Sequence, residues 1–182
     1  MRAYHEHYTV EDYRQWEGDW ELIQGMPYAM TPSPSIEHQR CVALLLQQLM
    51  NQLDEKAEEC KGCQALAEVD WVIARDTVVR PDVVLMCHEE KEQWIYSAPE
   101  LVIEVVSPSS ANRDENLKFD LYAREGVQWY LLVYPEEHRV RLYRNQEGRF
   151  VKTAGAGKET VELDIGECRF SLTFRRLWRS DR

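Results

Sequence analysis

Three side chains carry the chemistry this sequence suggests: Asp82, Glu104 and Lys118. Asp82 follows Arg80-Pro81 and opens the apolar run Val83-Val84-Leu85-Met86, while Glu104 lies inside Leu101-Val102-Ile103-Glu104-Val105-Val106. Both runs read as buried strands, because β-branched and other apolar residues dominate them and Pro or Ser bounds them. An ionised carboxylate in such a strand is costly unless it is paired, so two in succession require a cation. Strand alternation groups Asp82 with Val84, and Glu104 with Val102 and Val106. If the two strands are neighbours, both carboxylates converge near the end of the sheet. A hard divalent ion, Mg2+ or Mn2+, takes oxygen ligands and often uses only one or two carboxylates. Such an ion activates water and stabilises charge on a phosphoryl oxygen. Lys118 falls one to two turns into the helix expected after the Glu104 strand, on a face shared with Leu121 and Tyr122. From there its stem can pack while its ammonium meets the carboxylates, to orient water or stabilise transition-state charge.

The elements that must position these groups follow from periodicity and punctuation. Thr9 with Asp12 marks a short helical opening over residues 8–13. Trp20–Ile23 and Pro27–Met30 flank Gln24-Gly25 and read as a hairpin. Ser33 before Pro34 starts a helix that runs to about Asp54, with Val42, Leu45, Leu46, Leu49 and Leu53 at helical spacing. Three strands are expected at Ala67–Ala74, Val78–Met86 and Glu100–Ser107, the first two joined by a turn at Asp76-Thr77. A second helix starts at Ser109 or Ser110, with Asp114 and Glu115 complementing its dipole, and closes at Gly126. Val127–Tyr134 is a further apolar strand. Val140–Tyr143, Phe150–Thr153 and Thr160–Leu163 are shorter ones, and Phe170–Trp178 is an amphipathic, basic tail read as helical. Strands interleaved with helices in this order predict an α/β fold, a mixed sheet with helices on its faces and hairpins added at both ends.

Composition narrows the setting. The 182 residues, 44% hydrophobic and 30% charged, suit one soluble domain over 1–182. The first residues lack an apolar core for a secretory signal, and no apolar run reaches the roughly 20 residues that span a bilayer. Five cysteines, an odd number, speak against a disulfide framework, and together these features predict a cytoplasmic protein. A net charge of −10 argues against a sequence-blind nucleic-acid binder. The charge is uneven, however. Residues 136–182 hold 11 Lys/Arg against 8 Asp/Glu, and the first 135 hold 11 against 24.

The run Arg80-Pro81-Asp82-Val83-Val84, the run Ala98-Pro99-Glu100-Leu101-Val102-Ile103-Glu104-Val105-Val106-Ser107-Pro108, and the span from Asp114 through Lys118 to Gly126-Val127 together resemble the Uma-two family. The likeness extends to Trp20–Gly25, to Ser33-Pro34 with His38-Gln39, and to Tyr130–Pro135, covering roughly residues 10–145. It implies the restriction-endonuclease-like fold of the PD-(D/E)XK superfamily and a metal-dependent site that cleaves phosphodiester bonds. Asp82 and Glu104 would be the metal ligands, nucleic acid, DNA above all, the partner, and a homodimer the assembly. The wider superfamily carries lysine two residues after the second acid, where this chain has Val106. Lys118 is the matching residue in relatives that supply the lysine from the following helix.

Secondary candidates are Glu21 and His38, read as structural or as supporting the metal ligands, and Asp70, which lies either on the active face or at a sheet edge. Cys60-Lys61-Gly62-Cys63 has zinc-knuckle spacing but supplies half a site, which Cys87-His88 would complete only if the fold brought them together. Arg175, Arg176 and Arg179 with Trp178 read as a solvated helix side rather than a phosphate track. A second functional class stays open: a catalytically inactive module on the same fold that binds a protein partner through its aromatic surface.

Overall fold

The computed structural model describes residues 6–30, 34–90, 92–156 and 159–178. The chain runs α1 (Val10–Tyr13), β1 (Trp20–Ile23), β2 (Met26–Ala29), α2 (Ile36–Glu55), β3 (Gln64–Ala67), β4 (Trp71–Ala74), β5 (Thr77–Val79), β6 (Val83–Met86) and β7 (Leu101–Val105). A π-helical turn (Arg113–Leu117) then leads into α3 (Lys118–Glu125), followed by β8 (Trp129–Tyr134), β9 (Arg139–Gln146), β10 (Arg149–Ala156), β11 (Thr160–Ile165) and β12 (Cys168–Thr173).

Six strands form the central mixed sheet, in the order β10-β9-β8-β7-β6-β3. β7 and β8 are parallel, joined by the crossover that contains the π-turn and α3, and the other pairs are antiparallel. One face carries Val83, Leu85, Leu101, Ile103 and Val105, which pack against Cys41, Val42, Leu45 and Leu49 of α2 and against the β11–β12 hairpin. The opposite face carries Val84, Val102, Tyr130 and Leu132 and is covered by Leu121 and Tyr122 of α3 and by Ile23, Trp71 and Val79 of a second sheet. That four-stranded sheet has the order β2-β1-β5-β4. Burial on both faces explains why β6, β7 and β8 read as continuous apolar runs rather than alternating ones.

Several expectations hold in detail. Thr9 and Asp12 form a capping box, and Gly126 ends α3 at φ +93. Gln24 and Gly25 both have positive φ, as a two-residue hairpin turn demands, and a Cβ on Gly25 would run into the His7 ring.

Other expectations need correction. Ser33 lies outside the described residues, and the cap of α2 is Ser35, whose side chain accepts from the His38 backbone N–H. The expected strand Ala67–Ala74 is two strands in different sheets, because Glu68 takes a left-handed conformation at φ +54. Val78–Met86 is likewise split, since Pro81 has no N–H for a ladder and the chain passes from one sheet to the other there. The tail is β12 and a turn rather than a helix, with Trp178 buried; Arg179 lies outside the described residues. Against the expectation of no disulfide framework, Cys60 is paired with Cys168 and Cys63 with Cys87, leaving Cys41 as the free thiol. Among the described residues no helix is long and apolar enough to cross a membrane.

Candidate active site

The two strand breaks create the site. β6 begins immediately after Asp82, and the register Val83↔Ile103 sets Asp82 across from Glu104 as the pairing ends. The Val105 backbone N–H donates to Asp82 Oδ2 at 2.6 Å. The Asp82 backbone N–H lies 3.4 Å from Glu104 Oε2. The two carboxylates therefore hold each other's strands at the point where the sheet opens. Glu104 is 3% exposed, whereas Asp82 is partly accessible.

Lys118 enters from the crossover helix. Its side chain is 3% exposed, with Nζ 2.9 Å from Glu104 Oε1, 2.7 Å from Glu21 Oε1 and 3.7 Å from Asp114 Oδ1. The preceding π-turn explains this convergence. The Lys118 N–H bonds to the Arg113 carbonyl, five residues back, so these two residues lie nearly over one another. A regular α-helix would set them about 140° apart. As a result Arg113 Nε reaches Glu21 Oε2 at 3.3 Å while Lys118 holds the other oxygen. Glu21 itself comes from β1, and its Oε1 also accepts the Arg80 backbone N–H, which the break at Pro81 leaves outside the ladder. The Tyr122 hydroxyl donates to Glu104 Oε1 at 2.9 Å. From α2, His38 Nε2 lies 3.3 Å from Asp82 Oδ2.

These groups, apart from Tyr122, line a cavity of about 730 Å³ whose walls also include Ser107, Ser109, Ser110 and His138. Burial pushes the Glu104 carboxyl well above the usual range; the Lys118 ammonium opposes this, and Asp114, Asp82 and Glu21 add to the rise. Burial raises Asp114 as well, against the Lys118 ammonium and the Ser110 hydroxyl and with a further push from Asp82 and Glu21. Burial alone would lower Lys118, but Glu104, Glu21 and Asp114 overcome it and hold the ammonium firmly protonated. Four carboxylates (Glu21, Asp82, Glu104 and Asp114) face the Lys118 ammonium, the Arg113 guanidinium and the His38 ring, so the acids outnumber the cations.

A divalent ion suits this donor set. Glu104 Oε2 accepts only the long contact from the Asp82 N–H, whereas Glu21 Oε2 is buried and faces Arg113 Nε at 3.3 Å without a well-formed hydrogen bond. Among the described residues no three His, Cys, Asp or Glu side chains form a ligand group. A hard ion held by two carboxylates, with water or substrate completing its shell, needs no third.

Glu21 and His38 are thus brought to the cavity with Asp82, Glu104 and Lys118. Asp70 is not. Its Oδ1 takes Arg80 Nε at 2.6 Å and its Oδ2 accepts from the Tyr13 hydroxyl at 2.9 Å, which makes it a buried tie between α1 and the strand break. Sequence reasoning missed Arg113, Asp114 and Tyr122 as site residues. The spacing of Asp114 and Lys118 gives an i,i+4 signal for one of them, but no propensity marks the π-turn that brings in Arg113.

Residues 10–175 match the Uma2 family, described as "Putative restriction endonuclease". The chain belongs to the Uma2 family. Among curated proteins, the uncharacterized protein slr1290 of Synechocystis sp. is 29% identical over 163 residues, covering 85% of this chain and 84% of that protein. A second Synechocystis protein, the uncharacterized sll1609, is 33% identical over 79 residues, 41% of this chain and 45% of its own. Among solved structures, a chain from Anabaena variabilis described as a "putative nuclease belonging to DUF820" superposes with a TM-score of 0.73 at 17% identity. It covers 94% of this chain and 97% of that one, so the Uma2 match and a nuclease-type α/β fold extend over nearly the whole sequence.

Proposed function

We propose that this protein is a divalent-metal-dependent endonuclease that hydrolyses phosphodiester bonds, with DNA as substrate. Membership of the Uma2 family supports the reaction class. The observation that carries the reading is the meeting of Asp82, Glu104 and Lys118, with Lys118 Nζ 2.9 Å from Glu104 Oε1. Asp82 and Glu104 would hold Mg2+ or Mn2+, which when bound supplies an activated water and charge stabilisation.

The chain's own residues divide the remaining work. Lys118 stays charged, so it acts as an electrostatic and orienting group rather than as a proton acceptor. Tyr122 and the Val105 N–H fix the two carboxylates. Arg113, beside Glu21 at the cavity wall, offers a fork suited to a backbone phosphate. The Ser107–Ser110 turn lines the same cavity, and its hydroxyls, which bond to one another and to the Ser107 carbonyl, would turn outward to meet further phosphate oxygens. The test is nicking of supercoiled plasmid by purified protein with Mg2+ or Mn2+. Nicking that persists in EDTA and in Asp82→Ala would refute the reading.

A further inference from the structure

The cysteine pairs form a second centre, on the face of the central sheet that carries α2. Cys60 and Cys63 stand in the turn after α2, where the Cys63 N–H bonds to the Cys60 carbonyl at 3.0 Å. Cys87 follows the last residue of β6, and Cys168 is the first residue of β12. Four cysteines from three distant stretches therefore meet at one point. They do not form two isolated bridges, because Cys63 Sγ of one pair lies 4.0 Å from Cys168 Sγ of the other. Tetrahedral zinc thiolates, with Zn–S about 2.3 Å, place their sulfurs about 3.8 Å apart.

Paired as disulfides, these four cysteines form no metal-ligand group; we propose that, in its reduced form, the cluster is a four-thiolate zinc site formed by Cys60, Cys63, Cys87 and Cys168. Cys60 and Cys63 are the knuckle, with Gly62 at φ +83 making its turn, and the other two cysteines are the half that the local sequence lacks. A dithiol reductant delivers two electrons and two protons to each disulfide and is itself oxidised to a disulfide. Zn2+ then displaces the four thiol protons. The resulting centre carries two negative charges, and Lys61 lies within the knuckle itself.

The site has a mechanical task. Among the described residues β11 and β12 pair only with each other and share no ladder with the central sheet. Zinc would pin this hairpin to the end of α2 and the end of β6, two elements whose other ends carry His38 and Asp82. Cys41 belongs to neither pair. Burial pushes its thiol up to about 11, which keeps it from ligating or reacting.

Protein purified with a dithiol reductant and no chelator should contain one zinc per chain. Cobalt should replace the zinc and give the visible bands of a tetrahedral cobalt thiolate. After denaturation with a chelator, all five cysteines should react with a thiol reagent. Zinc content should be unchanged in Cys41→Ser and in Asp82→Ala, the latter separating this centre from the carboxylate site. Cys60→Ser with Cys87→Ser should lose the metal. Because that variant risks misfolding, the metal titration of the intact chain decides the matter. Reduced, folded protein that takes up neither zinc nor cobalt would overturn the proposal. So would zinc that disappears in Asp82→Ala, or a denatured chain that shows Cys41 as its one reactive thiol despite the reductant.

Discussion

The Lys118 ammonium stands 2.9 Å from Glu104 Oε1, with both side chains 3% exposed. The pair is not isolated, because Glu21 and Asp114 press on the same ammonium. Removing the lysine would leave three acids around a buried point with only Arg113 to compensate them.

Lys118→Met preserves the length of the side chain and removes the charge. It should lower stability by about 3–5 kcal/mol, the cost of an uncompensated buried charge, read from urea unfolding. Adding Glu21→Gln should restore part of that loss, since the two sites share one interaction and their effects will not add. A Lys118→Met protein as stable as the parent would show that the ammonium is not the counter-charge of this cluster.

Asp82 is more accessible than Glu104, so Asp82→Ala should fold with a much smaller loss of stability. It should abolish Mn2+ binding by calorimetry and with it the metal-dependent nicking of plasmid. EDTA should reproduce the loss of nicking in the unaltered protein, and excess Mg2+ should reverse it. Full Mn2+ affinity in Asp82→Ala would remove this residue from the ligand set.

The acids and the lysine were legible because apolar strands make a charge conspicuous. Glu104 stands out in a run of valine, leucine and isoleucine, and its face follows from simple alternation. What was not legible is conformational detail that breaks periodicity. The left-handed Glu68 and the passage at Pro81 each turn one expected strand into two, and a pattern of apolar residues does not report a change of sheet. The π-turn before Lys118 shifts Arg113 by one position on the helix surface, with no compositional mark. The cysteine cluster was half visible. The knuckle spacing is local, but its partners lie 24 and 108 residues away, and only the fold brings them together.

Asp70 separates structure from chemistry. It ties Arg80 to Tyr13, and although Arg80 lines the cavity, Asp70 itself does not. Asp70→Ala should cost about 3 kcal/mol in unfolding experiments, while Mn2+ affinity per folded chain stays that of the parent. A loss of metal binding at unchanged stability would reverse the assignment and return Asp70 to the site.

His38 gives the site a pH dependence whose sign can be worked out. Burial alone would lower its pKa, but the hydrogen bond and charge of Asp82, helped by Glu68 and Asp114, prevail and hold it above the ordinary histidine value. Folding therefore favours the imidazolium. Its contribution to stability is fully present below the ordinary value of about 6.5 and is lost as the pH rises through the raised value in the folded protein. In chelator, so that no metal competes for Asp82, the parent should exceed His38→Asn in stability most at acidic pH. The gap should close as the solution becomes alkaline. Urea midpoints of both proteins across this range provide the measurement. A gap that is constant with pH would mean that His38 contributes through packing alone, and a gap that widens toward alkaline pH would mean that folding favours the neutral ring.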